Sequence, residues 1–299
     1  MQADTNIPLS RPADGARLIG IAAMALTVLI WAAFALTTRA TAASPLAFGD
    51  VALARALVPG LVFLPFLPAR LKMIRRAGWR CCAVIAVGAG IPFFALAVTG
   101  GALTSAAHVA ALIAGMAPVG VAILMRLLTG TSPSRRGMLA LCVITGGALL
   151  LIVAQGQALP WQGAAALLCA SLFWAAYTIA MRVSGLDPVG CALVIALPSS
   201  ALMLGLVATG TVPTNWGQYS LIQALPFVLV QGLGVGVIAS VTYGFAIMRL
   251  GAERCATMGA AAPALAALMA IPLLSEPLSL VTLAGIVLIG AGVAAFNCG

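Results

Sequence analysis

Apolar residues in this chain come in long runs broken by short polar punctuation, without the alternation of barrel strands. A helix rises about 1.5 Å per residue and a bilayer core is about 30 Å thick, so about 17 to 25 mostly apolar residues make one crossing. Ten stretches fit: Leu18 to Thr38, Leu46 to Pro68, Cys81 to Gly100, Ser105 to Leu128, Met138 to Ala154, Gln162 to Met181, Pro188 to Thr209, Ile222 to Met248, Ala256 to Leu274 and Leu280 to Asn297. Between the third and fourth only Gly100, Gly101 and Ser105 interrupt the pattern, which reads as a tight hairpin. Backbone groups unpaired in lipid are too costly for anything but helices or closed barrels, so the pattern predicts an all-α integral membrane protein.

Composition agrees: 63% of the 299 residues are apolar and 7% charged, far below the roughly 25–35% charged surface that a soluble domain carries. The net charge of +9 gathers into no basic stripe, which excludes nucleic-acid binding as the main role. Seven cysteines lie in or beside apolar runs with no CxxC and no His neighbour, so neither a disulfide scaffold nor a metal site is expected, and no cofactor is called for. Residues 1–17 form a polar N-terminal segment. The first apolar run, at about 21 residues, exceeds the 7 to 15 of a secretory signal and reads as a retained helix, although Ala40 to Ser44 could pass for a cleavage site.

Basic residues near helix ends stay cytoplasmic. With the N-terminus inside, 13 of the 15 Lys and Arg fall on inner segments, Arg39 falls outside and Arg55 lies within the second span. Both termini are therefore expected in the cytoplasm, with the Arg70 to Arg80 cluster as a topology signal touching lipid phosphate.

The chain also repeats itself. Trp31-Ala32-Ala33-Phe34 matches Trp174-Ala175-Ala176-Tyr177 at an offset of 143, which also sets Arg39 on Arg182 and Ser44-Pro45 on Asp187-Pro188. Pro118 and Pro263, at an offset of 145, each fall in mid-helix before a Gly-rich final helix. Residues 18–154 and 162–297 thus form two five-helix halves. Because five is odd, the second half enters from the opposite face, and a pseudo-two-fold axis in the membrane plane relates the two around a central cavity.

This ordered set, with Leu274-Ser275-Glu276-Pro277-Leu278 before the last helix, resembles the ten-helix EamA-type members of the drug/metabolite transporter superfamily, which include amino-acid exporters. The first half has Thr131-Ser132-Pro133 where that pattern places a Glu, so Glu276 lacks its symmetric partner. The resemblance implies a basket of helices around a cavity, fifth and tenth helices making contacts outside the transport path, export as the direction and a bacterial inner membrane as the location.

Deep polar and aromatic side chains are the informative ones in such a fold. Trp31 and Trp174 lie about 12 Å from a helix end, near the bilayer centre, whereas Trp79, Trp161 and Trp216 sit at span edges as belt anchors. Trp31 with Phe34 and Trp174 with Tyr177 share helical faces at i and i+3, and either line a cavity or pack helix against helix. Ser240 with Tyr243 is a third such pair, whose buried phenol needs a partner from cavity water or from a neighbouring helix. The lone histidine, His108, one turn after Ser105, is a candidate substrate or proton contact or a hydrated rim residue. Arg55 lies about 15 Å into its span, with Asp50 the nearest acid. Pro118 and Pro263 are candidate hinges or fixed kinks. Gly232-Leu233-Gly234-Val235-Gly236 follows no strand and suits close helix contact rather than a nucleotide loop.

These features predict a transporter of small metabolites, foremost hydrophobic or aromatic amino acids, working by alternating access down a gradient. Its partners are a small-molecule substrate and the lipid bilayer, with a monomeric or homodimeric chain. An exporter of lipophilic cations is the alternative. An intramembrane enzyme is disfavoured, since no acid cluster or nucleophile constellation is visible in the sequence.

Overall fold

The computed structural model describes residues 14–154, 160–274 and 279–297. Among them every regular element is helical. They are α1 Asp14–Thr41, α2 Phe48–Ala77, α3 Trp79–Leu103, α4 His108–Thr129, α5 Arg135–Val153, α6 Trp161–Val183, α7 Pro188–Ala208, α8 Leu221–Leu250, α9 Ala252–Gly259, α10 Ala262–Leu274 and α11 Leu280–Asn297. Nine of these described helices are long and apolar enough to cross a membrane.

The ninth expected stretch, Ala256 to Leu274, is divided between α9 and α10 by a turn at Ala260 and Ala261. Pro263 therefore stands in the first turn of α10, where its missing N–H leaves no hydrogen bond unmade, and not in mid-helix. Pro118 begins the second half of α4 in the same way, after π-type turns over Ala111–Gly115. The Ile113 carbonyl, within these turns, accepts both the Met116 N–H and the Ser171 hydroxyl of α6, the latter at 2.9 Å. The second span also runs on as helix past Pro68 to Ala77, so Arg70, Lys72, Arg75 and Arg76 ride on α2. Glu276 lies outside the described residues.

Small residues set the close helix pairs. A methyl on Gly147 of α5 would sit 2.8 Å from the Gly285 carbonyl of α11. On Gly88 of α3 it would sit 2.6 Å from the Phe173 carbonyl of α6, and on Gly232 of α8 it would sit 2.9 Å from the Ala54 carbonyl of α2. Helix axes can approach this closely only where Cβ is absent. The glycine run of α8 does make close contact, Gly232 and Gly236 with α2 and Gly234 with Ile30 of α1.

The pairing scheme carries the symmetry. α1 packs on α8 as α6 packs on α3, while α2 pairs with α7, α4 with α9 and α10, and α5 with α11. Exchanging the halves maps this set onto itself. In the self-paired α5 and α11, Gly137 meets Phe296 while Leu151 meets Gly285, so the two helices run antiparallel. A two-fold that swaps antiparallel helices must lie perpendicular to them, which in a bilayer is the membrane plane. The chain is therefore built as two inverted five-helix repeats.

Candidate functional site

The repeat-matched tryptophans meet at the centre. Trp31 of α1 and Trp174 of α6 lie edge to face, with ring centroids 5.1 Å apart. Tyr243 of α8 packs on both, at 4.9 Å from Trp31 and 5.5 Å from Trp174, and Tyr177 of α6 lies 4.9 Å from Trp174. Phe93 of α3 closes the cluster at 5.2 Å from Trp174. Gly259 of α9 gives Trp31 its room, since a methyl there would stand 2.7 Å from the indole.

Two small cavities, of about 40 and 30 Å³, border this cluster, and Trp31, Trp174, Arg55 and Val235 belong to the walls of both. Tyr177, Tyr243 and Ser240 front the first and Phe34 and Phe93 the second. Such volumes admit a few waters and fall well short of the roughly 300–1,000 Å³ of ligand pockets, so the chamber is contracted in this conformation. Its walls include the irregular stretches of the bundle. α3 breaks at Gly90 ahead of Pro92, and both π-type segments, Ala111–Gly115 in α4 and Val228–Ala239 in α8, contribute lining residues. π turns recur at functional sites because they turn side chains off the regular helical face.

The candidate residues fare unequally. Trp31, Phe34, Trp174, Tyr177, Ser240 and Tyr243 converge on the chamber. The Tyr243 hydroxyl, however, is bonded to Thr178 Oγ1 at 2.8 Å. Thr178 already donates its own proton to the Trp174 carbonyl at 2.8 Å, so Tyr243 is the donor in that pair. The Ser240 hydroxyl turns back to the Gly236 carbonyl of its own helix at 2.7 Å. Ser105 and His108 border neither cavity; His108 Nδ1 accepts from the Ser105 N–H at 3.1 Å, leaving Nε2 buried without a partner. Pro263 touches Gly115 from the opposite repeat, at 3.5 Å from a methyl built there. Trp79, Trp161 and Trp216 stand out from the protein, as belt residues do.

Sequence reasoning singled out Arg55 but missed the network that holds it at the chamber. Arg55 is buried, and its Nη1 donates to Gln231 Oε1 of α8 at 3.0 Å. The Gln231 amide nitrogen donates to the hydroxyls of Thr37 and Thr38 of α1, at 3.0 and 3.3 Å, which fixes the carbonyl end toward the arginine. Asp50, the acid nearest Arg55 in sequence, faces elsewhere: its Oδ2 accepts from the N–H groups of Ala47 and Asn215 at 2.8 and 2.9 Å. The usable signal was the glycine run. Gly232 and Gly236 seat α8 on α2, with Gly236 against Pro59, and that contact carries neighbouring Gln231 to Arg55. Among the described residues no group of three or more His, Cys, Asp and Glu could hold a metal ion.

A model of the EamA-like transporter family matches residues 18–153 and again residues 161–298. A solved structure titled "Crystal structure of protein" superposes with a TM-score of 0.73 at 22% identity, covering 95% of this chain and 96% of the other, a likeness of fold alone. No curated protein matches.

Proposed function

This chain belongs to the EamA-like transporter family and is a multi-pass membrane transporter of small molecules; on that premise we propose that it carries hydrophobic or aromatic amino acids, outward, by alternating access. One observation carries the reading: both repeats deliver aromatic rings to a shared chamber, with Trp31 and Trp174 in the wall of both cavities. Rings set edge to face suit a flat or branched apolar side chain, because stacked aromatics offer contact area at little entropic cost. A contracted chamber between two equivalent halves suits a cycle in which either half can yield first.

We place the protein in a bacterial inner membrane with both termini cytoplasmic, supported by the inner position of most basic residues. Among the described residues, the walls of the two cavities contain no Asp, Glu, Lys or His, which supports facilitated movement down a gradient over ion coupling.

Counterflow in proteoliposomes, with the twenty amino acids and a set of lipophilic cations, tests the proposal. Apolar and aromatic amino acids exchange, and Trp174→Ala lowers their rates at least about tenfold through lost ring contact. Unchanged rates in Trp174→Ala would refute the aromatic site, and uphill uptake under an imposed pH gradient would refute facilitation.

A further inference from the structure

Arg55 is a cation within the bundle that no acid among the described residues neutralises. A lone buried charge costs several kcal/mol in a bilayer unless an anion or several dipoles meet it. Here the protein supplies one side-chain acceptor, Gln231 Oε1, and the faces of Phe34, Phe93 and Phe94, whose centroids lie 5.3, 5.9 and 4.9 Å from the guanidinium carbon. A guanidinium has five N–H donors in a planar fork that matches a carboxylate. Among the described residues Nε and Nη2 have no acceptor, yet the buried unpaired side-chain atoms there are Asp50 Oδ1 and His108 Nε2 alone. The two nitrogens therefore keep some exposure, and Arg55 stands in the wall of both cavities.

Resting on the aromatic-chamber reading above, we propose that Arg55 is the receptor for a carboxylate on the substrate, and that the transporter selects apolar acids, amino acids among them, by their anion and not by their amine. Gln231 holds the guanidinium in place from one side, and Thr37 and Thr38 hold Gln231. The three phenylalanine rings lie around the guanidinium and limit water there, which strengthens a charge-assisted fork. The ammonium of an amino acid meets only hydroxyls, carbonyls and ring faces, so an apolar amine without a carboxylate places its charge beside Arg55 with nothing to offset it. The same chemistry identifies one other visitor, a small inorganic anion such as chloride.

The test is competition against counterflow of labelled phenylalanine, with 3-phenylpropanoate, which lacks the amine, and phenethylamine, which lacks the carboxylate. In the unaltered protein, 3-phenylpropanoate competes within about tenfold of phenylalanine and phenethylamine is at least about tenfold weaker still, the range a charge-assisted bond spans. Arg55→Gln raises the half-inhibitory concentration of both carboxylates at least about tenfold and narrows the gap to phenethylamine, and Arg55→Lys restores part of it. Tryptophan fluorescence quenching by 3-phenylpropanoate gives the same order without transport. Equal competition by amine and acid, or unaltered carboxylate affinity in Arg55→Gln, overturns the proposal. If Arg55→Gln does not fold, the order of the two analogues on the unaltered protein decides. Replacing chloride by gluconate leaves transport unchanged, whereas a chloride requirement with acid and amine carried alike would make Arg55 a halide site. Loss of the Arg55 effects while Trp174→Ala still acts refutes this inference alone; no aromatic exchange at all refutes the chamber.

Discussion

Tyr243 separates two uses of one side chain. Its ring packs on Trp31 and Trp174 at the chamber wall, while its hydroxyl donates to Thr178 Oγ1 at 2.8 Å. If the ring serves the substrate and the hydroxyl serves the fold, the effects of substitution divide accordingly. Tyr243→Phe removes one buried neutral hydrogen bond between α8 and α6, a loss of about 0.5–1.5 kcal/mol, with bonds between membrane helices averaging about 0.6. Thr178→Ala removes the same bond together with the one to the Trp174 carbonyl, which keeps its helical partner. The double variant should therefore show a coupling energy of about 0.5–1 kcal/mol in a reversible unfolding assay in mixed micelles. Transport should part company with stability: Tyr243→Phe keeps half-saturation within about threefold, while Tyr243→Ala deletes the ring and costs at least about tenfold. A large affinity loss in Tyr243→Phe with none in Thr178→Ala would mean that the hydroxyl binds substrate and that the bond to Thr178 is incidental.

Gly88→Val places side-chain carbon within 2.6 Å of the Phe173 carbonyl and 2.7 Å of Tyr177 Cβ, so α3 and α6 must separate; overpacking costs typically about 1–3 kcal/mol, and the variant should melt earlier with weakened aromatic exchange. Gly146→Val, at a site with open space around it, should leave both melting and exchange near their starting values and serves as the control. Asp187→Ala should destabilise more than Arg70→Ala. Asp187 caps α7 through the Gly190 N–H at 2.6 Å, a contribution of about 0.5–2 kcal/mol, whereas its part-exposed pair with Arg70 at 3.1 Å contributes about 0–1. Asp187→Asn, which keeps the cap, should fall between them. For sidedness, a cysteine at Thr214 should react with an impermeant maleimide on intact cells, and one at Thr131 only after permeabilisation; the reverse labelling refutes the proposed orientation.

The sequence announced the architecture because lipid leaves few choices: a run of apolar residues is a helix, and an odd number of crossings inverts a repeat. The match of Trp31 with Trp174 was visible in the same way, since a constant offset needs no structure to be seen. Local backbone chemistry was less legible. Pro263 read as mid-helix because the small residues Gly259-Ala260-Ala261-Ala262 continue the hydropathy, yet small residues also permit the turn that divides α9 from α10. The pairing of Arg55 was illegible for a different reason. Its partner lies 176 residues away on another helix, and the nearest acid in sequence, Asp50, is taken up by the Ala47 and Asn215 N–H groups. Sequence proximity predicts pairs within a helix, whereas this network is set by which glycine faces let α8 settle on α2.

The inverted repeat also places equivalent ties at opposite faces. Arg70, near the end of α2, holds the α6–α7 connection at Asp187. Asn215 lies 143 residues beyond Lys72, and it holds the α1–α2 connection through the Pro45 carbonyl at 2.8 Å and Asp50 at 2.9 Å. One tie is an ion pair and the other a neutral side-chain bond backed by a main-chain bond. Neither is worth more than about 1–2 kcal/mol, which is the scale needed for a gate: loss of about 1.4 kcal/mol changes a two-state ratio about tenfold, so either tie can be broken in a working cycle. With a single reactive cysteine at Ser199 in the chamber wall and native cysteines replaced, Arg70→Ala should raise labelling from the Asp187 face and Asn215→Ala from the Pro45 face, each by about twofold to tenfold. If both substitutions raise labelling from the same face, the two ties are not symmetry-related gates and the halves do not exchange roles in the way the pairing of helices requires.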